Sequence, residues 1–445
     1  MPRSFDSLCV EWQDCFLDAA RSQRLLLLKQ FRDDFLCLPE FHNSLLADFS
    51  SVLRHRYPSL RIQDVYHHIS SDIRSVLGDP PEPSDESRRL QDALLIDSQV
   101  RQFFRSIGPL DHGWRTWRET QIQRFHNEDS SFRESHIMYI PFAIELTQGC
   151  SGGCPFCGVS ASYLDTSSSS SLDRFQPFKE FLLQMKDMHG NFGKSGVLYW
   201  ASDPLDCPEY VDYAMIFKKV FDIWPSTTTA LAEKYPIRFQ KLLSTGILQR
   251  PWGVRCSLRN LNAYHKIKDS ISLHDRFGIV FIPQFSASES TQANAGRHYS
   301  PTSENNEPQK GGTIACMSGL LVNLIQPRIE LITPCLAEPH HQNGYRSLLR
   351  VEMDGLEQLS HYTANFISKL PILPIKMTDK LSVSIHSSQF HLYENKHCSG
   401  VLSLLSKTPL TLQQLKHTVS DDINQLSLFS YCLELMQHGV LHISN

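Results

Sequence analysis

Long apolar runs are missing from this chain of 445 residues: "LLLL" at Leu25–Leu28 falls far short of the roughly 20 residues a helix needs to cross a bilayer. An excess of positive charge is missing too. Lys and Arg number 43 against 47 Asp and Glu, a net charge of −4, so no global basic field draws the chain to nucleic acid or anionic lipid. The first residues carry Asp6 and Glu11 and show no apolar stretch followed by a small-residue cleavage site, which argues against a secretory signal and for the cytoplasm. No repeat of fixed period occurs, and no second Cys-x-x-Cys. Cysteine itself is not scarce: there are twelve, and in a reducing compartment clustered thiols mean metal or redox chemistry rather than disulfides.

Such a length exceeds one ordinary core and implies two or three domains. Residues 1–130 read as a helical region: "FLDAARSQRLLLLKQFRDDFLCL" spaces its apolar residues by three and four, and after a Pro/acid-rich break at Gly78–Ser87 the helical pattern resumes. Residues 137–370 alternate short apolar runs ("IPFAIEL", "GVLYWAS", "STTTALA", "GVRCSL") with helical stretches near Phe178–Met188, Glu209–Phe221 and Ile237–Ser244. That alternation predicts βαβ units, a parallel sheet and an α/β fold. Two polar tracts, Asp165–Asp173 and Ser286–Gly312, have the composition of mobile segments. Residues 379–445 read as strand, strand, three helices and strand, with "LSVSIHS" and "FHLYEN" as a hairpin and "VLHIS" closing, the order of a winged-helix-like module.

The densest chemical signal is "ELTQGCSGGCPFCGVSA", which sets Cys150, Cys154 and Cys157 within eight residues as C-x3-C-x2-C. Zinc sites normally need four ligands, and no second Cys pair or spaced His pair supplies the fourth; a zinc loop would have to borrow a distant donor. Iron–sulfur clusters are thiolate-bound, and three thiolates leave one iron of a 4Fe–4S cluster open to an outside ligand. The loop follows the first predicted strand, and sites in parallel folds collect at the carboxyl ends of strands. Glycines 152, 153 and 158 allow close backbone approach, and Phe156 can shield a cluster from water.

This loop resembles the signature of the radical S-adenosylmethionine enzymes, in which three cysteines of this spacing hold a 4Fe–4S cluster. The resemblance implies a partial (β/α)6 barrel. It also implies an open iron that chelates S-adenosylmethionine, and cleavage of that cofactor to methionine and a 5′-deoxyadenosyl radical. After its second strand the family carries a Gly-Gly-Glu-like turn. Here the place holds "YWASDPLD", so Ser202 and Asp203 would meet the cofactor's ammonium group, unless Asp203 caps the helix that follows. Thr229 and Glu233 after the next strand, and Ser257, Arg259 and Asn262 after the one beyond, would contact ribose hydroxyls or carboxylate as a group.

The later cysteines are singletons, so no auxiliary cluster is evident, and the first region shows no cobalamin-domain pattern. The C-terminal module resembles those that bind leader peptides in enzymes maturing ribosomal peptides, by adding a strand to a sheet edge. Together these features look most like the polytheonamide-type peptide epimerases. The resemblance implies α-hydrogen abstraction from a precursor peptide of leader and core, hydrogen return from a cysteine thiol, and a reductant such as flavodoxin or ferredoxin. The donor must stay a neutral thiol. Cys335, at the end of "PRIELIT" and before a polar loop, is the first choice; Cys207 and Cys256 are rivals, and Cys398 reads as core of the winged module. A crosslink-forming peptide maturase and a non-catalytic zinc-loop regulator are the alternatives. His340 and His341, adjacent on an extended segment, point apart and are not a ligand pair. Phe181, Met185 and Met188 fall at helical spacing and read as core.

Overall fold

The computed structural model describes residues 3–128, 137–165, 172–285, 292–302, 309–339, 341–365, 373–376 and 441–444. Seven helices come first: α1 (Phe5–Arg21), α2 (Gln23–Cys37), α3 (Pro39–Arg56), α4 (Ile62–Val65), α5 (Ser71–Leu77), α6 (Asp85–Ser106) and α7 (His112–Glu128). Serine punctuates them. Ser4 and Ser84 cap α1 and α6 by accepting from the amides of Ser7 and Ser87, and Ser22 ends α1 while capping α2 through the Leu25 amide.

The alternating part follows as β1 (Ile140–Glu145), α8 (Phe175–His189), α9 (Tyr210–Phe221), β2 (Thr227–Thr229), α10 (Pro236–Leu243), β3 (Val254–Leu258), α11 (Leu261–Ser270), α12 (Leu273–Phe277) and β4 (Ile279–Pro283). Then come β5 (Met317–Asn323), β6 (Arg328–Pro334), β7 (Tyr345–Glu352), α13 (Leu359–Asn365), β8 (Leu373–Lys376) and β9 (Leu441–Ser444). The fold is mixed α/β. Strands β2, β3 and β4 pair in parallel, and Val197 alone bridges β1 at Ala143 to Ser226 just ahead of β2. "GVLYWAS" thus contributes a single bridging residue, not a full strand.

No described strand adds a sixth member beside β4. Instead β5 pairs in parallel with the other edge of β1, and β6 and β7 extend that edge antiparallel. Of the C-terminal module only β9 is described; it pairs in parallel with β8, while the expected hairpin, its helices and Cys398 lie outside the described residues.

β1 is buried along its whole length, as a strand of a sheet covered on both faces must be. Phe142 meets Phe181, Phe217 and Phe221 of the covering helices, with Phe181 edge-on at 5.7 Å. Phe181 and Met185 are wholly buried on α8, as their spacing implies. The helical region shares this core: one continuous apolar cluster runs from Phe5 to Leu359. Polar contacts fix the docking. Trp12 donates to Leu248 O at 2.9 Å; the buried Lys29, paired with Asp33, donates to Ile279 O at 3.1 Å. Asp34 accepts from Tyr57, Tyr264 and Lys268, each at 2.6 Å.

Candidate functional site

β1 hands the chain to the cysteine loop. The loop closes at its base, where the Cys150 amide donates to Ser162 O and the Asp165 amide to Gln148 O. Two amides point at sulfur: Gly152 N–H lies 3.2 Å from Cys150 Sγ and Ala161 N–H 3.3 Å from Cys157 Sγ. Such amide contacts tune cluster-bound thiolates. A Cβ on Gly152 would sit 3.2 Å from Cys150 Sγ and 3.3 Å from Cys154 Sγ, so the glycine leaves open the space between two sulfurs. Burial pushes the Cys150 thiol up to about 12, helped by the charge of Asp203, and the Cys154 thiol up to about 11 against the pull of Arg259. A metal binding here must therefore displace protons. Among the described residues no three His, Cys, Asp or Glu side chains gather around one point to hold a single ion. The donor set suits a cluster, whose ligands bind separate irons: three thiols, amides aimed at sulfur and a cradle that a side chain would fill.

Clamps hold the loop from three sides. Asp206 accepts from the Ser151 amide at 2.8 Å, from Ser151 Oγ at 2.5 Å and from Tyr235 OH, while Lys234 Nζ reaches Ser151 Oγ at 2.6 Å. Arg259 donates to Gly152 O at 3.0 Å and pairs with Glu233 at 2.5 Å. Arg297 donates through its guanidinium to Cys154 O at 2.9 Å and to Ala161 O, and through its amide to Cys157 O at 3.0 Å. Beside it, Gly296 has φ +63°, and a Cβ there would lie 2.1 Å from Cys157 O, so only glycine fits. This clamp comes from the Ser286–Gly312 tract that composition reads as mobile; within it Arg297 is hydrogen-bonded against the loop.

The residues expected to meet the cofactor separate into groups. Glu233 and Arg259 stand together against the loop, Ser202 is half-buried beside Asp203, and Ser257 is half-buried. Asp203 is buried and already engaged: it accepts from Leu205 N at 2.9 Å, Thr229 Oγ1 at 2.8 Å and Ala230 N at 2.7 Å. It caps the short turn Pro204–Asp206 and not the helix α9 that the sequence suggested, whose N-cap position is Glu209, and burial lifts its carboxyl to about 6. Thr229 is buried in the same knot. Asn262 is exposed on α11, whose cap is Asn260.

Cys335 is fully buried, but β6 is antiparallel to β5. Arg328 begins β6 opposite Asn323, level with Glu145, and the strand ends where β5 and β1 begin. Its carboxyl end therefore lies at the far end of the sheet from the mouth that receives the cysteine loop, a direction that residue pattern alone does not reveal. The chain around that end returns: the Ala337 amide donates to Gly312 O, Ile314 packs on Gly158 of the cysteine loop, and Gln342 O accepts from the Gly296 amide at 2.6 Å. Cys207 is buried next to Asp206, its Sγ 3.8 Å from Glu209, and burial pushes its thiol up to about 12. Cys256 is buried on the face of β3 opposite Arg255, which reaches Thr228 Oγ1 and Tyr199 OH.

Asp206, Lys234 and Arg297 escaped the sequence reading; only the spacing of Asp203 and Asp206 in "SDPLD" hinted at a paired role. Glu145 was missed as well: it is buried, accepts from Ala201 N and Asn323 Nδ2, and so ties the end of β1 to β5.

No protein-family model matches the chain. An uncharacterized protein, y4wI, from Sinorhizobium fredii (strain NBRC 101917 / NGR234) is 27% identical over 326 residues, covering 67% of this chain and 63% of that protein. The chain thus spans less than two thirds of that relative's length. The crystal structure of BtrN in complex with AdoMet and 2-DOIA aligns with 43% of this chain and 72% of its own at 14% identity, with a TM-score of 0.30. A likeness that slight carries no argument for fold or chemistry.

Proposed function

We propose that this chain is a radical S-adenosylmethionine enzyme that epimerises residues of a ribosomally made precursor peptide. One observation carries the reading: three cysteines spaced C-x3-C-x2-C sit at the carboxyl end of the first parallel strand, with Gly152 keeping clear the space between two of the sulfurs. Cys150, Cys154 and Cys157 would hold a 4Fe–4S cluster. When bound, the cluster supplies an electron to S-adenosylmethionine, giving a carbon radical strong enough to take hydrogen from an unreactive C–H bond.

The chain's own residues do the rest. Arg259, Glu233, Ser202 and Ser257 supply charge and hydroxyls for the cofactor's carboxylate, ammonium and ribose, while Asp203 holds Thr229 and Ala230 in place behind them. Hydrogen returns to the opposite face of the peptide α-carbon from a cysteine thiol, and the sulfur radical left behind is restored by an electron from the reductant and a solvent proton. Cys335 is the proposed donor by resemblance, although β6 ends away from the cysteine loop; Cys207, next to the loop-binding Asp206 and held neutral by burial, is the second candidate. Leader binding by residues 379–445, a flavodoxin- or ferredoxin-like reductant and a cytoplasmic setting belong to the same proposal. Among the described residues no helix is long and apolar enough to cross a membrane.

Anaerobic reconstitution with iron and sulfide, followed by assay of 5′-deoxyadenosine, tests the enzyme class. Colourless protein saturated with zinc and unable to cleave the cofactor would overturn it in favour of a zinc-loop regulator. Reaction with a precursor peptide in heavy water tests the chemistry. Epimerisation adds one deuteron per converted residue, whereas a crosslink removes two mass units. Cys335→Ala and Cys207→Ala identify the donor: the variant that cleaves the cofactor but makes no D-residue has lost it.

A further inference from the structure

Below the parallel array, at the end away from the cysteine loop, α1 closes over the segments that lead into Val197, β2 and β3. A cavity of about 200 Å³ lies between them. Three cations face it: Lys194, Lys218 and Arg250. Arg250 is 2% exposed, and one of its amino groups, Nη2, donates to Lys194 O at 3.3 Å. Its Nε and Nη1 have no partner among the described residues. The groups that favour its charge are the Cys9 thiol and the phenols of Tyr210 and Tyr199, not a carboxylate. A guanidinium buried this way without an anion is costly, and proteins rarely leave one so.

The other two cations are poorly neutralised. Lys194 Nζ stands 5.3 Å from the centre of the Phe5 ring and 3.7 Å from Asp6, whose side chain is 86% exposed. Lys218 Nζ lies 4.6 Å over Trp224, which also lines the cavity. Both carboxylates facing the cavity, Asp6 and Asp222, are exposed. Acids therefore sit at the rim and the buried cation inside.

We infer that this cavity is a second ligand site, taking a small oxyanion of the phosphate class on Arg250, Lys194 and Lys218. Three positive charges favour a dianion over a monoanion, and the volume suits phosphate or a small phosphate monoester rather than a nucleotide. The site lies where the helical region meets the sheet, so an occupant would bind both and strengthen their union. It is independent of the cluster chemistry proposed above.

The test uses the full chain without iron, titrated with potassium phosphate and, separately, glycerol 3-phosphate, against potassium chloride and acetate of matched ionic strength. Melting temperature and tryptophan fluorescence are read together. Saturable responses to phosphate but not to chloride or acetate are expected. A response to the monoester alone would assign an esterified phosphoryl group as the source; a response to both, free phosphate. Lys194→Gln and Lys218→Gln should each weaken binding about tenfold, the loss of one charge-assisted contact. Trp224→Phe should abolish the fluorescence change yet keep the melting shift. Arg250→Met should remove binding; should that variant fail to fold, the two lysine variants decide. No saturable response to either phosphate compound, or unchanged affinity in both lysine variants, overturns the assignment.

Discussion

Replacing Arg297 by alanine isolates the clamp on the cysteine loop. Two guanidinium contacts are lost, to Cys154 O and Ala161 O, while the backbone contact to Cys157 O stays. Hydrogen bonds from a charged donor contribute about 1.5–3 kcal/mol each, but Arg297 is exposed and water competes, so a total of about 2 kcal/mol is the reasonable loss. That raises the opened population of the loop about 30-fold. The assay is alkylation of Cys154 in iron-free protein, followed by peptide mass spectrometry at fixed pH. Cys154 is only 8% exposed, so reagent reaches it through opening. Electrostatics act in the opposite sense: the charge of Arg297 lowers the Cys154 pKa, and its removal alone leaves less thiolate and slower reaction. Acceleration can come only from opening. An unchanged or slower rate in Arg297→Ala refutes the clamp.

Further expectations concern the cradle, the core and acid stability. Gly152→Ala puts a methyl between two sulfurs and should weaken cluster retention about tenfold with little change in melting temperature, read as iron per chain after reconstitution. Lys29→Met strands the buried Asp33 and should cost about 3–5 kcal/mol in urea unfolding; Lys29→Met with Asp33→Leu should regain most of it, and equal instability in both would refute the pairing argument. His189 is buried against Trp114 with neither ring nitrogen bonded among the described residues, and burial holds its pKa at about 3. Because the folded value lies below the unfolded one near 6.5, stability present above pH 6.5 drains away as pH falls towards 3. At pH 5 the loss is about 2 kcal/mol. His189→Phe should reduce the drop in urea midpoint between pH 7.5 and 5, and an equal drop would show that the charge is accommodated.

The cysteine loop and the alternation around it were legible because both are local. Spacing fixes the thiols, and periodicity marks β1, α8, α9, β2, α10 and β3 within a few residues. What escaped depends on contacts distant in sequence. The capping role of Asp203 is a local pattern, but its bonds to Thr229 and Ala230 appear only once β2 is beside it. The direction of β6, and hence the end of the sheet where Cys335 lies, follows from pairing with β5 and not from the residues of β6. Gly296 and Arg297 sit in a tract with almost no large apolar residue, so its composition suggests mobility. Its anchoring comes from hydrogen bonds to loop carbonyls, which no hydrophobic pattern reports.

The position of β1 has a consequence for biosynthesis. One of its edges is completed by β5, whose first residue, Met317, pairs with Ile140 from 177 residues further along the chain. While a ribosome is still making those residues, "IPFAIE" presents a bare apolar edge, the kind of surface that recruits other nascent strands. Yield in a cell should therefore depend on chaperones that act during translation more than on the equilibrium stability of the finished molecule.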